Sequence, residues 1–307
     1  MKNQAKYLLA AFLSVAIWGF FSIPLRHLQA YPSEEILYYR IFMSLGLIWA
    51  CIFLFRRKHF RNDLNHLKSL NRALQVKFIG QIIVATILLT LNWYTFIYAV
   101  NHVSLKSAAF AYMVCPLITA FGGFLILKES LSKLQLVALC IALASIIMLG
   151  TGSLIDVLWS VLIAALYAFY LILQKQIVGF DKFNVLALQI SIAVLLMLPF
   201  YMYSHAEVPV SFDFWLNIGL IAILFTIIPL FLSLYALIGI PSSTLGIIIY
   251  LNPIIAFTVA IFYFGEKISF YQVVAYSFLL FAVFLFNWNL IANNLGMNRN
   301  KKKIAAE

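Results

Sequence analysis

The sequence predicts an all-α membrane protein of ten transmembrane helices, arranged as two inverted repeats of five helices. Three observations support this fold class: the composition, a succession of long apolar segments, and a similarity between the two halves of the chain. Of the 307 residues, 64% are hydrophobic and 10% are charged, whereas soluble domains are roughly 45–50% apolar and about 25% charged. No soluble fold of this length could bury so much apolar surface. The composition therefore excludes soluble enzymes, nucleic-acid-binding proteins and secreted scaffolds.

Ten apolar segments follow one another along the chain, separated by prolines, glycines and charged residues. A helix needs roughly 20 apolar residues to cross a bilayer, and continuous rather than alternating runs favour helices over barrel strands. The first segment also has features of a secretory signal, but its apolar run continues to Leu25, which favours an uncleaved helix. The longest loop is predicted at 56–76, a basic tail at 292–307, and the spans at 6–27, 34–55, 77–100, 105–127, 133–150, 154–175, 182–203, 213–238, 242–264 and 270–291.

The distribution of Lys and Arg favours ten spans with both termini in the cytoplasm. With that topology, seventeen of the 21 Lys and Arg residues lie on the cytoplasmic side, three lie on the opposite side, and Arg40 lies inside a span. Basic residues concentrate in the cytoplasmic loops of membrane proteins. The formal charge of +11 is thereby explained by membrane topology, without a nucleic-acid partner.

The two halves of the chain resemble each other. Residues 99–149 align without gaps on residues 236–286 with nine identities. Because each copy holds five helices, an odd number, the two copies cross the membrane in opposite directions, as in many secondary transporters. We therefore predict repeats at 6–150 and 154–291. The shared skeleton is Pro116, Glu129, Ser132 and Gln135 in the first copy and Pro253, Glu266, Ser269 and Gln272 in the second.

The sequence carries no sign of catalytic or metal chemistry. Cys51, Cys115 and Cys140 lie inside apolar segments at spacings that match no zinc motif, which is typical of packing residues. No Walker lysine motif, nucleophile elbow or intramembrane relay of acidic residues and histidines is present. We therefore expect no enzymatic activity, no cofactor and no bound metal.

The paired ends of the fourth and ninth spans carry a resemblance to a known family. Pro116 followed by Leu127-Lys128-Glu129, and Asn252-Pro253 followed by Gly265-Glu266-Lys267, look like the EamA type of the drug/metabolite transporter superfamily. Ile17-Trp18-Gly19, Glu35-Ile36-Leu37 with Arg40, Asn92-Trp93 and Ser243-Thr244-Leu245-Gly246 are similar to its RarD-like permeases. The resemblance covers essentially the whole chain. It implies a ten-helix carrier of small metabolites in the bacterial inner membrane, often an exporter of amino acids or related compounds.

Arg40 is the sharpest candidate for a binding residue, because a charge inside a span is costly unless it faces a cavity or a partner. A guanidinium binds carboxylates through two parallel hydrogen bonds. The alternatives are snorkelling to the outer interface and an ion pair with Glu34 or Glu35. Both the functional and the structural interpretation stay open at this point.

Other polar and aromatic residues fall inside the spans. Intramembrane Asn needs a hydrogen-bond partner, from a neighbouring helix or a substrate, and large amphipathic rings can line a cavity. Pro116 and Pro253 each free a carbonyl one turn back, so we predict hinges there. For Glu129 and Glu266 a structural role is favoured, as polar caps of the helices that follow them. With Arg40, the candidate substrate-binding residues are Trp18, Tyr39, Asn92, Trp93, Tyr112, Tyr167, Tyr250 and Asn252.

Three functional hypotheses follow. The first is a secondary transporter that moves small organic metabolites, amino acids or their derivatives, across the inner membrane by alternating access. The second is a permease for the efflux of drugs or amphipathic compounds. The third is a membrane scaffold without transport activity. We expect a monomer whose partners are a small-molecule substrate and membrane lipid.

Overall fold

The computed structural model describes residues 2–28, 30–99, 105–149, 154–204, 208–263 and 270–294. Within these ranges the chain is all-helical. Two short π-helical segments, Ile52–Arg56 and Ile223–Ile227, interrupt α-helical runs. The α-helices are α1 Lys2–Gly19, α2 Ser22–Arg26, α3 Ser33–Cys51, α4 Arg57–Ser69, α5 Arg72–Tyr98, α6 Leu105–Leu127, α7 Lys133–Leu149, α8 Leu154–Gln176, α9 Lys182–Ser204, α10 Phe212–Ala222, α11 Ile228–Gly239, α12 Ser242–Ile248, α13 Leu251–Phe262 and α14 Phe270–Asn294.

By length and composition, six stretches of the described chain can cross a membrane: Gln4–Leu25, Glu34–Ser69, Arg72–Phe96, Leu158–Gln176, Lys182–Ser204 and Phe212–Gly239. Shorter apolar helices cover Ala111–Leu127, Lys133–Met148, Ser242–Ile255 and Val273–Asn289. The all-helical membrane character is thus confirmed, while the count of ten spans stays a prediction. Large apolar side chains such as Leu54, Phe55 and Phe262 are exposed on the outer faces, as suits a surface in contact with lipid.

Two predicted spans are each divided into two helices by a proline. The turn between α1 and α2 lies four residues before Pro24, and the turn between α12 and α13 lies four residues before Pro253. Proline has no N–H for the carbonyl four residues earlier. In both places that carbonyl accepts a hydrogen bond from the residue three positions later instead. The Phe20 carbonyl accepts from the Ile23 N–H at 3.1 Å, and the Ile249 carbonyl accepts from the Asn252 N–H at 2.9 Å. Around Pro116, by contrast, α6 continues without a break.

The prediction of a long loop at 56–76 is wrong, because most of it is helical. Helix α4 begins at Arg57, and α5 begins at Arg72. Helix α4 folds because one face packs on the protein: Phe60 meets Trp49 at 5.3 Å between ring centroids, and the Asp63 carboxylate accepts a 2.7 Å bond from the Asn184 amide. The predicted tail at 292–307 likewise begins inside α14, which ends at Asn294, and 295–307 lie outside the described residues.

The main helix contacts join the two halves of the chain. Helix α6 packs on α8 and α12, α1 packs on α11 and α13, and α3 packs on α9 and α10. Helix α5 packs on α8 and α9, and α7 packs on α14. The largest buried cluster lies where α1, α3, α6, α8, α11 and α12 meet, and the candidate site lies at this centre.

Candidate functional site

Arg40 lies on α3 with its guanidinium between two aromatic rings. Its Cζ atom is 5.8 Å from the ring centroid of Phe21 and 5.4 Å from that of Trp93. The Arg40 Nε atom is buried and has no hydrogen-bond partner. Within the described ranges the ion pair present is Arg56–Asp181, so the predicted alternative of a pair with Glu34 or Glu35 is absent there. Arg40 is a half-buried cation with no described carboxylate to neutralise it.

A group of tyrosines continues inward from Arg40. Tyr112 interacts electrostatically with Arg40, and Tyr167 interacts with Tyr112 and with the Cys115 thiol. Tyr167 and Tyr170 stack with ring centroids 5.7 Å apart, and Tyr250 also faces Cys115. We call Arg40, Tyr112, Cys115, Tyr167, Tyr170 and Tyr250 the central cluster.

Two hydroxyls of the central cluster, those of Tyr167 and Tyr250, are buried without a hydrogen-bond partner, whereas the Tyr170 hydroxyl interacts with the Gln174 side chain. Most buried polar groups in proteins are hydrogen-bonded, so orphaned ones need an explanation. Two of them, both close to the Cys115 thiol in a cluster that includes the unneutralised Arg40 guanidinium, indicate a place for a polar ligand. Trp18, Trp93 and Tyr112 remain half-buried around it, as expected of aromatic side chains that border a cavity.

Trp18 and Asn92 also hold the scaffold together. The Trp18 indole N–H donates a 3.0 Å bond to the carbonyl of Phe225, which lies four residues before Pro229 and therefore lacks the usual helical donor. The Trp18 ring also meets Tyr167 edge-on at 6.2 Å. The Asn92 amide donates a 2.9 Å bond to the Ile163 carbonyl and so ties α5 to α8.

Tyr39 and Asn252 are not brought into the central cluster by any described contact. The Tyr39 hydroxyl lies 3.2 Å from that of Tyr201, and its ring packs on Phe214 and Trp215. Asn252 is half-buried just after the turn between α12 and α13. Of the nine predicted binding residues, therefore, Arg40, Trp18, Trp93, Tyr112, Tyr167 and Tyr250 come together, Asn92 lies nearby as a structural link, and these two lie apart.

A second polar contact, remote from Arg40 in the sequence, involves the Glu129 carboxylate. The carboxylate accepts four hydrogen bonds at 2.6–3.0 Å from the backbone N–H and hydroxyl groups of Ser242 and Ser243, the first residues of α12. We call this the Glu129 cap. Its partners lie 113 and 114 residues away, so the prediction that Glu129 caps the helix after it is wrong. Helix α7 is capped by Ser132 and Gln135 instead, and Glu266 lies outside the described residues.

The local backbone directs Glu129 to α12. Lys128 has a φ of 54°, and this left-handed residue turns the chain back so that the Glu129 N–H donates to the Gly123 carbonyl at 3.1 Å. A Cβ atom on Gly123 would lie 2.7 Å from the Glu129 carboxylate, so only glycine leaves room for the cap. The Lys175 ammonium group lies near the cap and donates hydrogen bonds to the carbonyls of Leu237 and Ile240, at the end of α11, at 2.6 and 2.7 Å.

Sequence reasoning missed Tyr170, Phe21 and the partners of Glu129. Tyr170 was within reach, because it lies three residues after Tyr167 and so shares its helix face. Phe21 lies two residues after Gly19 of the Ile17-Trp18-Gly19 stretch. The pairing of Glu129 with Ser242 leaves no local signal in the sequence.

A surface pocket of about 460 Å³ lies apart from the central cluster. Glu34, Tyr38, Tyr94, Pro199, Phe200, Tyr203 and Ser204 line it. It contains neither Arg40 nor any of the orphaned hydroxyls, and we assign it no role.

Comparison with known proteins places the chain among membrane transporters. The model of the EamA-like transporter family matches residues 5–151 and again residues 154–288. The chain is 29% identical to the uncharacterized transporter YojE of Bacillus subtilis, over 91% of this chain and 92% of that protein. It is 26% identical to the protein RarD of Escherichia coli, over 93% and 95%, and 30% identical to an uncharacterized transporter of Vibrio cholerae, over 93% of each. A solved crystal structure with 14% identity shares the fold at a TM-score of 0.71, over 92% of this chain and 97% of that one.

Proposed function

Since the chain belongs to the EamA-like transporter family, we propose that it is a secondary transporter of small organic carboxylates, amino acids or their derivatives. It is a multi-pass membrane protein, and its family and relatives point to a transporter rather than an enzyme. The proposed location is the bacterial inner membrane, with both termini in the cytoplasm. A single chain forms the pathway, and lipid is its surrounding partner.

The observation that carries the substrate class is the Arg40 guanidinium. The ring centroids of Phe21 and Trp93 lie 5.8 and 5.4 Å from its Cζ atom, and none of the acidic side chains that the structure describes forms an ion pair with it. A half-buried cation inside a predicted span is costly unless an anion reaches it. A carboxylate matches the guanidinium in geometry and charge, and aromatic walls suit an apolar or aromatic body.

Two inverted repeats, at 6–150 and 154–291, would supply the alternating access. The family model matches the chain twice, at nearly these boundaries, which supports the division. The helix contacts support it too. Each predicted span has a counterpart in the other repeat, five spans away. When every span is exchanged with its counterpart, the contacts of α1 with α11 and α13 become the contacts of α8 with α5 and α6, which the structure also shows. The contacts α3–α9, α6–α12 and α7–α14 map onto themselves.

The moving parts in this proposal are α6 and α12. The Glu129 cap joins their ends on the predicted cytoplasmic side and would keep that side closed until it separates. The turn at Ile249–Tyr250 and the proline in α6 provide places where the helices can bend. Pro253 and Pro116 are thus proposed hinges, and substrate at Arg40 would lie between them.

Uptake into proteoliposomes tests the proposal. We would measure radiolabelled neutral and aromatic amino acids and their derivatives, with and without a pH gradient, for wild type, Arg40→Ala and Arg40→Lys. The matched control is Arg72→Ala, since Arg72 is exposed at the start of α5. We expect saturable uptake that falls about 100-fold in Arg40→Ala, the scale of a lost charged contact of about 3 kcal/mol.

Other outcomes decide between the candidates. Full uptake by an Arg40→Ala protein that elutes as a single species would make Arg40 structural. Transport of amphipathic compounds alone, with no carboxylate carried, would favour the drug-efflux permease, which the largely aromatic and uncharged walls would suit. An absence of any transport would leave the scaffold.

A further inference from the structure

We infer that the Arg40 site selects net-anionic carboxylates, such as 2-oxo acids or N-acylated amino acids, over zwitterionic amino acids. The inference rests on the proposed function, namely that Arg40 binds a substrate carboxylate. It goes further by asking what binds the ammonium group of an amino acid. The described residues offer that group no acidic partner beside Arg40.

The acidic residues with described side chains all lie elsewhere. Asp63 accepts bonds from the Asp181 N–H and the Asn184 amide, and Asp181 pairs with Arg56 at 2.7 Å. Glu129 is occupied by its four bonds to Ser242 and Ser243. The remaining three lie at the surface pocket, beside Tyr39 and at the exposed start of α10: Glu34, Glu35 and Asp213.

The aromatic faces nearest the cation are also taken. Aromatic rings can bind an ammonium through their π faces, but Phe21 and Trp93 already hold the guanidinium at 5.8 and 5.4 Å. A second cation placed there would meet Arg40 as a like charge in surroundings of low dielectric. An ammonium group close to the bound carboxylate is therefore disfavoured.

Neutral donors are what the central cluster does offer. The hydroxyls of Tyr167 and Tyr250 are buried and unpartnered, and each can donate to an acceptor oxygen. A 2-oxo group or an amide carbonyl supplies such an oxygen next to the carboxylate. An anion also neutralises Arg40, whereas a zwitterion adds a positive charge for each negative one. Anion binding thus satisfies both the cation and the hydroxyls.

Four probes with the same aromatic body and different charge test this inference. Proteoliposomes of the full chain would receive phenylpyruvate, N-acetylphenylalanine, phenylalanine or phenethylamine. We expect uptake of the two anions to exceed that of phenylalanine about tenfold, the scale of one unfavourable charged contact. An interior-positive potential should speed uptake of the two anions and leave phenylalanine unchanged, since the anions carry a net negative charge and the zwitterion carries none.

Variants of Arg40 distinguish a failure of this inference from a failure of the proposed function. Arg40→Lys keeps the positive charge, so uptake should be slower but should rank the four probes in the same order. Arg40→Gln should lose the preference for anions. Arg72→Gln is the matched control. Uptake of phenylalanine at the rate of phenylpyruvate, or an anion preference that survives in Arg40→Gln, would overturn the inference and leave carboxylate transport standing. If no carboxylate enters at all, the proposed function fails first.

Discussion

Helix α6 links two polar regions that differ in one respect: the Glu129 cap just after its last residue, and the central cluster, to which it contributes Tyr112 and Cys115. At the cap, the carboxylate oxygens meet four donors at 2.6–3.0 Å. In the central cluster, the hydroxyls of Tyr167 and Tyr250 and the Arg40 Nε atom are buried with no partner. The carboxylate of the Glu129 cap finds all its hydrogen-bond donors within the chain, whereas these groups of the central cluster find no partner there.

This difference distinguishes polar groups that stabilise the fold from polar groups that are available to a ligand. Buried polar groups destabilise a fold unless they are paired, and the cost grows where water is scarce. Under the proposed function, the unpartnered groups of the central cluster are kept for a substrate that occupies the site part of the time. A fully paired carboxylate needs no ligand, and its natural role is to hold two helices together.

The largest effect on stability should come from removing the Glu129 carboxylate. Glu129→Ala leaves four donors without an acceptor, two of them on Ser242 and Ser243 side chains that are buried. We expect a loss of about 3 kcal/mol in the free energy of unfolding, measured as a lower melting temperature in detergent. Glu34→Ala, at an exposed carboxylate, is the control and should melt like wild type. Equal losses in both variants would contradict the cap.

A smaller effect should follow from adding a methyl group between α6 and α12. A Cβ atom on Gly246 would lie 2.6 Å from the Cβ of Thr119, so Gly246→Ala should cost about 1–3 kcal/mol through overpacking. Gly46 has no neighbour within 4 Å of its Cβ position, and Gly46→Ala should stabilise α3 by about 0.5–1 kcal/mol. Thermal melts of the two variants would shift in opposite directions. A stabilised Gly246→Ala protein would show that the helices are not in close contact.

The smallest effect on stability should come from the central cluster. Tyr250→Phe removes a hydroxyl that has no partner, so the free energy of unfolding should stay within about 0.5 kcal/mol of wild type. Ser243→Ala removes a partnered hydroxyl and should cost about 1 kcal/mol. Substrate affinity should respond in the reverse order, with a raised KM for carboxylate uptake in Tyr250→Phe and an unchanged KM in Ser243→Ala, which would alter the rate at which the Glu129 cap separates instead. Equal destabilisation by the two substitutions would mean that Tyr250 has a partner in the folded protein.

Much of the candidate site could be read from residue type and position. A guanidinium within an apolar segment is conspicuous, and Arg40 does lie at the centre with Trp93, Tyr112 and Tyr167 near it. The helix breaks before Pro24 and Pro253 follow from the missing N–H of proline, although Pro116, with the same chemistry, leaves α6 unbroken. Tyr39 shows the limit of such reasoning, because its neighbour Arg40 points to one group of rings and Tyr39 to another.

The sequence by itself determined the membrane setting, the helical class and the family, and it marked Arg40 as a buried charge. These properties depend on composition and on patterns within one segment, which any chain displays before it folds. Only the tertiary structure decided which polar groups are satisfied. The Glu129 carboxylate finds its donors 113 residues away, α4 folds where a loop was predicted because Asp63 and Phe60 reach other helices, and the hydroxyls of Tyr167 and Tyr250 find none. Hydrogen bonding between helices depends on distances in three dimensions, and no periodicity along the chain encodes them.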